Sequence, residues 1–212
     1  MPHGTAATRQ ERSPWEAALG EGVEGLHPQI RAYVRRLPAG SVGRGVGRFD
    51  VIGTPRRWLR PALAVLARQG VLAPAWERGV PFVVSNRLDD DGWLRAERTV
   101  DLARGAWTMR DAVTIRAGAL IDDLGVAGRY RATLAAWVED GALRLRSTGV
   151  SVRIGALHLP LPSLLAPVVH LREGFDDGTG RQRVHLRVEH PLLGTLYEYR
   201  GTFGYGLEEA AP

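Results

Sequence analysis

From Val80 to the C-terminus the chain alternates apolar and polar residues with a period of two, the pattern of strands that bury one face. Val80/Phe82/Val84, Tyr130/Ala132/Leu134 and Val184/Leu186/Val188 are clear instances. Asp91-Gly92, Asp140-Gly141 and Asp177-Gly178 fall between such runs. Asp and Gly both tolerate positive φ, so these pairs predict hairpins. The spacing predicts about nine strands with short connections, interrupted at most by a helix-length crossover around Ala117 to Gly125. So long a meander has to protect its edges, which predicts a barrel or a deeply curved half-barrel.

Before Val80 the period is helical. Ser13-Pro14-Trp15-Glu16 has the form of a capping box, and the helix it opens should stop at Gly20 or Gly22. A second helix is predicted from Pro28 to Arg36, with Ile30, Tyr33, Val34 and Leu37 as its buried stripe. A third is predicted over Thr54 to Gln69, where Pro61 implies a kink or a late start. Gly43-Arg44-Gly45-Val46-Gly47 has the look of a phosphate-cradling loop, but no strand precedes it and no helix follows, so it reads as a flexible turn. Residues 1–12 read as a disordered tail and 13–212 as one domain. Within it, 13–79 form a helical segment and 80–206 the antiparallel sheet or barrel. The expected class is mainly β (α+β), with the N-terminal helices covering one end or face.

Composition narrows the function only a little. No run of the 212 residues is long and apolar enough for a transmembrane segment, and the polar N-terminus lacks a signal-peptide core, so a cytoplasmic location is expected. The absence of cysteine excludes disulfides, thiol nucleophiles and thiolate metal sites. The net charge of +5 rests entirely on arginine, spread among the acids, and a GC-rich coding bias explains the missing lysine; no nucleic-acid partner is expected. His170, His185 and His190 lack the spacing of a metal site, and no G-x-S-x-G, H-E-x-x-H or P-loop pattern occurs, so no metal and no cofactor are expected.

The informative residues are polar ones that fall on an apolar strand face, where burial is costly unless they are paired. Arg98 shares the parity of Leu94, Ala96 and Val100, and Asp111 that of Trp107, Met109 and Val113. Glu173 shares that of Val169 and Leu171, and His190 follows Val188 in phase. Tyr197, Tyr199, Phe203 and Tyr205 share one face of the last strand. Arg98 should pair with Asp111 or Glu173. The cluster is either an internal network that holds strand register or the polar floor of a ligand cavity. Asp122-Asp123-Leu124-Gly125 reads as a turn with an Asx cap, with a catalytic carboxylate as the alternative. His158 lies on the polar parity of its neighbours and should be exposed. The apolar, Pro-rich stretch from Leu157 to Pro167 reads as a core-covering loop, with a gate or a membrane-touching lip as alternatives.

Three functions fit. The first is a binding module for a small apolar or amphipathic molecule, Arg98 anchoring an anionic or carbonyl group and Tyr197 and Tyr199 donating hydrogen bonds. The second is an acid–base enzyme for isomerisation, cyclisation or hydration, with Asp111 or Glu173 as base and His190 or a tyrosine as acid. The third is a structural partner domain with an exposed apolar patch around Leu157 to Pro167.

Several segments together resemble a bacterial family of domains of unknown function, numbered 4166. They include His27-Pro28 with Tyr33 and Leu37-Pro38, then Gly43-Arg44-Gly45-Val46-Gly47-Arg48-Phe49 and Pro55-Arg56-Arg57-Trp58. Val80-Pro81-Phe82, Glu97-Arg98-Thr99, Thr108-Met109-Arg110-Asp111, His190-Pro191-Leu192-Leu193-Gly194 and Tyr197-Glu198-Tyr199-Arg200-Gly201 continue it. Domains of this family can sit behind a saccharopine-dehydrogenase-like NAD(P)-binding domain in one chain. The resemblance therefore implies an accessory or substrate-holding role beside a separate NAD(P)-dependent oxidoreductase. It supplies no catalytic residues.

Overall fold

The computed structural model describes residues 12–162 and 164–209. The expected tail lies outside them, apart from Arg12. Eleven antiparallel strands follow the first helices: β1 (Ser41–Gly53), β2 (Trp76–Leu88), β3 (Leu94–Leu102), β4 (Gly105–Arg116), β5 (Ala119–Leu124), β6 (Tyr130–Glu139), β7 (Ala142–Ile154), β8 (Leu157–Pro160), β9 (Val168–Asp176), β10 (Arg181–His190) and β11 (Gly194–Glu209). Sequential pairing runs from β1 to β7, β9 pairs with both β7 and β10, and β11 pairs with β10 and β1. The sheet is thus a closed ten-stranded barrel, with β8 attached to β7 outside the ring.

The inner parity is apolar and the outer wall is charged, with ion pairs such as Arg110–Glu97 and Arg183–Asp176 between neighbouring strands. A barrel that spans a bilayer has the opposite arrangement. No helix is long and apolar enough to cross a membrane.

A ten-stranded ring is wider than the eight-stranded barrels that side chains alone just fill. Here helices help to fill it. Helix α1 (Pro14–Leu19) opens with the expected capping box between Ser13 and Glu16, and stops at Gly20, where φ is +55°. Ser13 Oγ also donates to the Val34 carbonyl, tying α1 to α2 (Pro28–Val34). Both helices enter the barrel at one end, where Ile30, Val34 and Leu26 pack on Val113, Leu120, Leu143 and Leu145. Helix α3 (Arg60–Arg68) covers the other end, Leu63 joining Phe49, Val80, Phe82, Val100 and Phe203. Tyr33 and Leu171 touch both clusters.

The structure corrects several expectations. Residues 13–79 are not uniformly helical: β1 crosses that segment, so the sheet starts at Ser41, and β2 begins at Trp76 rather than Val80. Gly43 to Gly47 are neither a phosphate loop nor a turn but the middle of β1. Gly43, Gly45 and Gly47 face inward because the large side chains of the neighbouring strands leave no room for a Cβ. At Gly43 a Cβ would lie 1.6 Å from Tyr205 Oη, and at Gly45 2.6 Å from Val84 Cγ1. Helix α3 starts late, with Pro61 in its first turn, where no amide donor is needed. Residues 119–124 form β5 instead of a helix or an Asx turn. Of the three Asp-Gly turns, only Asp140-Gly141 has both residues at positive φ. His158 is half-buried, while Leu157, Leu159, Leu164 and Leu165 are exposed, so the 157–167 stretch does not cover the core.

Candidate functional site

The polar layer forms where strand register brings inward positions together. Ala96 pairs with Asp111 and Arg98 with Met109, so Arg98 and Asp111 sit diagonally on the inner face of β3 and β4. Arg98 Nη1 donates to Asp111 Oδ1, with side-chain exposures of 16% and 10%. Asp122 faces inward from β5, opposite Val113. Glu173 faces inward from β9 between Leu143 and Val184. Tyr199 reaches the layer from β11, and Tyr33 from α2, its ring edge-on to Tyr205 at 4.7 Å.

Burial dominates the electrostatics. It raises Glu173 to about 7, with Asp111 adding to the rise while Arg98 and Tyr33 oppose it. It also raises Asp122 well above the usual carboxylate range, reinforced by the Asp111 charge and opposed by Arg98. Burial of Arg98 works against its charge, but the Asp111 carboxylate and the surrounding tyrosines and Glu173 outweigh it, so its pKa is raised. Desolvation raises Tyr33 and Tyr199, whose hydroxyls stay neutral donors at ordinary pH. The layer thus holds one ion pair and two carboxyls that resist ionisation.

Among the described residues, three buried oxygens in this interior have no hydrogen-bond partner: Asn86 Oδ1, Asp122 Oδ1 and Gln182 Oε1. Asn86 faces inward from β2, and its Nδ2 donates to Tyr205 Oη at 3.3 Å. Gln182 faces inward from β10 between Phe175 and Phe203. A buried carbonyl oxygen without a donor is expensive, so the Asn86 and Gln182 amide oxygens mark where a donor group would be stabilised, while the Asp122 carboxyl, held protonated by burial, can itself donate. Open recesses of about 400 and 370 Å³ also occur, but those lie on the outer wall, one beside Arg95 and Arg110 and one beside Arg172 and Arg200.

Of the residues singled out in the sequence, Arg98, Asp111, Glu173 and Tyr199 come together. His190 and Tyr197 do not join them. His190 sits at the α3 end, where Nε2 lies 2.9 Å from the Leu164 carbonyl and Nδ1 accepts from the Leu192 amide. Tyr197 is fully buried, and its hydroxyl accepts from the Ala73 amide beyond α3. Its position on the inner face is as expected, but its hydroxyl serves the chain itself. Asn86 and Gln182 are not among the residues singled out in the sequence, while Tyr33 figures there in the α2 stripe and Asp122 in a turn, neither as part of the cluster. Parity could have found three of them: Asn86 continues Val80/Phe82/Val84, Gln182 precedes Val184, and Asp122 follows Leu120. Among the described residues no three His, Asp or Glu side chains are placed to hold a metal ion.

Residues 26–203 match the family model described as Domain of unknown function (DUF4166). The chain belongs to that family. No curated protein and no solved structure matches it. The matched span contains all eleven strands except the end of β11, and every residue of this chain's polar layer except Tyr205.

Proposed function

We propose that the barrel is a small-molecule binding module, whose ligand has an apolar body and a head that donates hydrogen bonds. The supporting observation is the pair of unpartnered buried amide oxygens, Asn86 Oδ1 and Gln182 Oε1, in an interior that also holds the Arg98–Asp111 pair, Asp122 and Glu173 and is otherwise apolar and aromatic. Arg98 is already paired to Asp111, so the head pairs with these acceptors and not with the guanidinium. Tyr33 and Tyr199 stand beside the same layer as neutral donors.

Native mass spectrometry of the purified chain, followed by extraction, tests this reading. A stoichiometric small molecule is expected, and it is expected to be lost from Asn86→Leu and Gln182→Leu. An apo mass, together with higher stability in both variants, would mean that the interior is simply a packed core. In that case replacing an unpaired polar group by an apolar one relieves a cost and disturbs no ligand.

A second reading is general acid–base catalysis by Glu173. Its value of about 7 suits a group that both takes and gives a proton near neutral pH.

A further inference from the structure

The two ends of the barrel differ in chemistry. At the α2 end the turns and strand ends are acidic, with Asp89-Asp90-Asp91, Glu139-Asp140, Asp176-Asp177 and Glu208-Glu209. At the α3 end the connecting segments 54–75, 103–104, 125–129, 155–167 and 191–193 contain no Asp or Glu. They contain arginines instead. Arg57, Arg60, Arg68, Arg104 and Arg129 are exposed there and make no ion pair among the described residues.

The same end carries most of the exposed apolar surface. Of thirteen large apolar side chains exposed among the described residues, ten lie on it. Leu157, Leu164, Leu165 and Leu192 are 67%, 72%, 66% and 82% exposed, and Trp58 and Val65 project from the α3 region. The leucines lie on β8, on the 164–165 segment and on the turn after β10, all at that end. Ile154 pairs with Leu157 and Val152 with Leu159, so the β7–β8 hairpin carries an apolar face beyond the ring. The contact of His190 Nε2 with the Leu164 carbonyl holds the 164–165 tip against the 191–193 turn.

The strand ends there do carry Glu77, Asp101 and Asp123, near Arg104 and Arg129, but Arg57 and Arg60 stand in a stretch without acids. Exposed leucines and a tryptophan beside such arginines are what a bilayer interface with anionic headgroups selects. The charge argues against a second copy on this face. A two-fold contact would set one group of unpaired arginines against another. We propose that the α3 end docks on an anionic lipid surface, with Leu157, Leu164, Leu165 and Leu192 entering the acyl boundary and Arg57, Arg60 and Arg129 meeting headgroup phosphates. Docking of this kind does not depend on the interior holding a ligand.

Flotation of the full chain with vesicles tests it, comparing phosphatidylcholine alone with phosphatidylcholine containing phosphatidylglycerol, at low and high salt. The anionic vesicles should carry at least about tenfold more protein at low salt, and high salt should reduce this. Leu164→Asp with Leu165→Asp, and separately Arg57→Glu with Arg60→Glu, should each lower binding about tenfold or more while circular dichroism and Tm stay unchanged. Leu207→Asp, at the α2 end, should bind as the parent does. Absence of flotation, equal flotation on neutral vesicles, or indifference to both double variants would overturn the proposal. So would a dimer in sedimentation velocity without lipid that Leu164→Asp with Leu165→Asp dissociates, since that would assign the face to a second copy.

Discussion

Arg98 and Asp111 meet on the inner face of the barrel, thirteen residues apart in sequence and on adjacent strands, with each side chain largely removed from water. Their pairing follows from register: Asp111 stands opposite Ala96, and the Arg98 side chain reaches diagonally past that small neighbour. Removing one partner leaves a buried charge alone. Arg98→Met is therefore expected to destabilise by about 3–5 kcal/mol. Arg98→Met with Asp111→Leu should recover most of that loss, because a well-packed apolar pair is close to neutral. Urea unfolding of both variants measures this. Equal losses in the single and double variants would show that the lone Asp111 charge is not what costs stability.

Glu173 gives the fold a pH dependence of definite sign. Its carboxyl is raised by burial from 4.5 to about 7, so the folded chain holds a proton that the unfolded chain releases. Stability is therefore greatest below the unfolded value and falls as pH rises from roughly 4.5 to 7, after which this contribution is constant. The full span corresponds to about 3 kcal/mol at 1.36 kcal/mol per pKa unit. Asp122, raised in the same direction, adds to the slope. Denaturant midpoints measured across this range should fall with pH in the parent, and less steeply in Glu173→Gln. An unchanged slope in Glu173→Gln would mean that Glu173 is not the group that titrates.

The glycines of β1 make a third expectation. A Cβ on Gly47 would lie 2.3 Å from the Thr202 carbonyl oxygen and 2.5 Å from Phe203 Cβ. Backbone cannot swing aside as a side-chain tip can, so Gly47→Ala is expected to cost about 1–3 kcal/mol or more through overpacking. Gly204, which pairs with Val46 one position away, has nothing within 4 Å of its Cβ position. Gly204→Ala should leave Tm unchanged or raise it slightly, since alanine loses less backbone freedom on folding. Similar Tm values for both variants would contradict the close approach of β1 and β11.

Much of this was legible along the chain. The capping box at Ser13, the stop at Gly20, the late start imposed by Pro61 and the period-two strands after Val80 all depend on neighbours a few residues away. Local backbone chemistry decides such features, and the alternation also placed Arg98, Asp111 and Glu173 on the inner face. Gly43 to Gly47 were misread for a physical reason. Glycine has weak strand preference, and its use here answers to Tyr205, Phe203 and Val84 on other strands. Asp122-Asp123 was misread likewise, because two adjacent acids suit a turn. In the barrel one points in toward Arg98 and the other out to Arg131, bound through Nε at 2.6 Å and Nη2 at 2.8 Å.

By itself, then, the sequence determined most strands after Val80, the capping box and stop of α1, the antiparallel class and the inward parity of Arg98, Asp111 and Glu173, all set by period and by short-range backbone preference. Tertiary structure alone decided that the ring closes through β6 and β7, because closure depends on pairing summed around ten strands. It alone chose Asp111 over Glu173 as the partner of Arg98, since register sets the distance between two inward side chains. It also brought Tyr33 from a helix into the polar layer and gathered the leucines and arginines at one end, relationships between residues distant in the chain that no local pattern encodes.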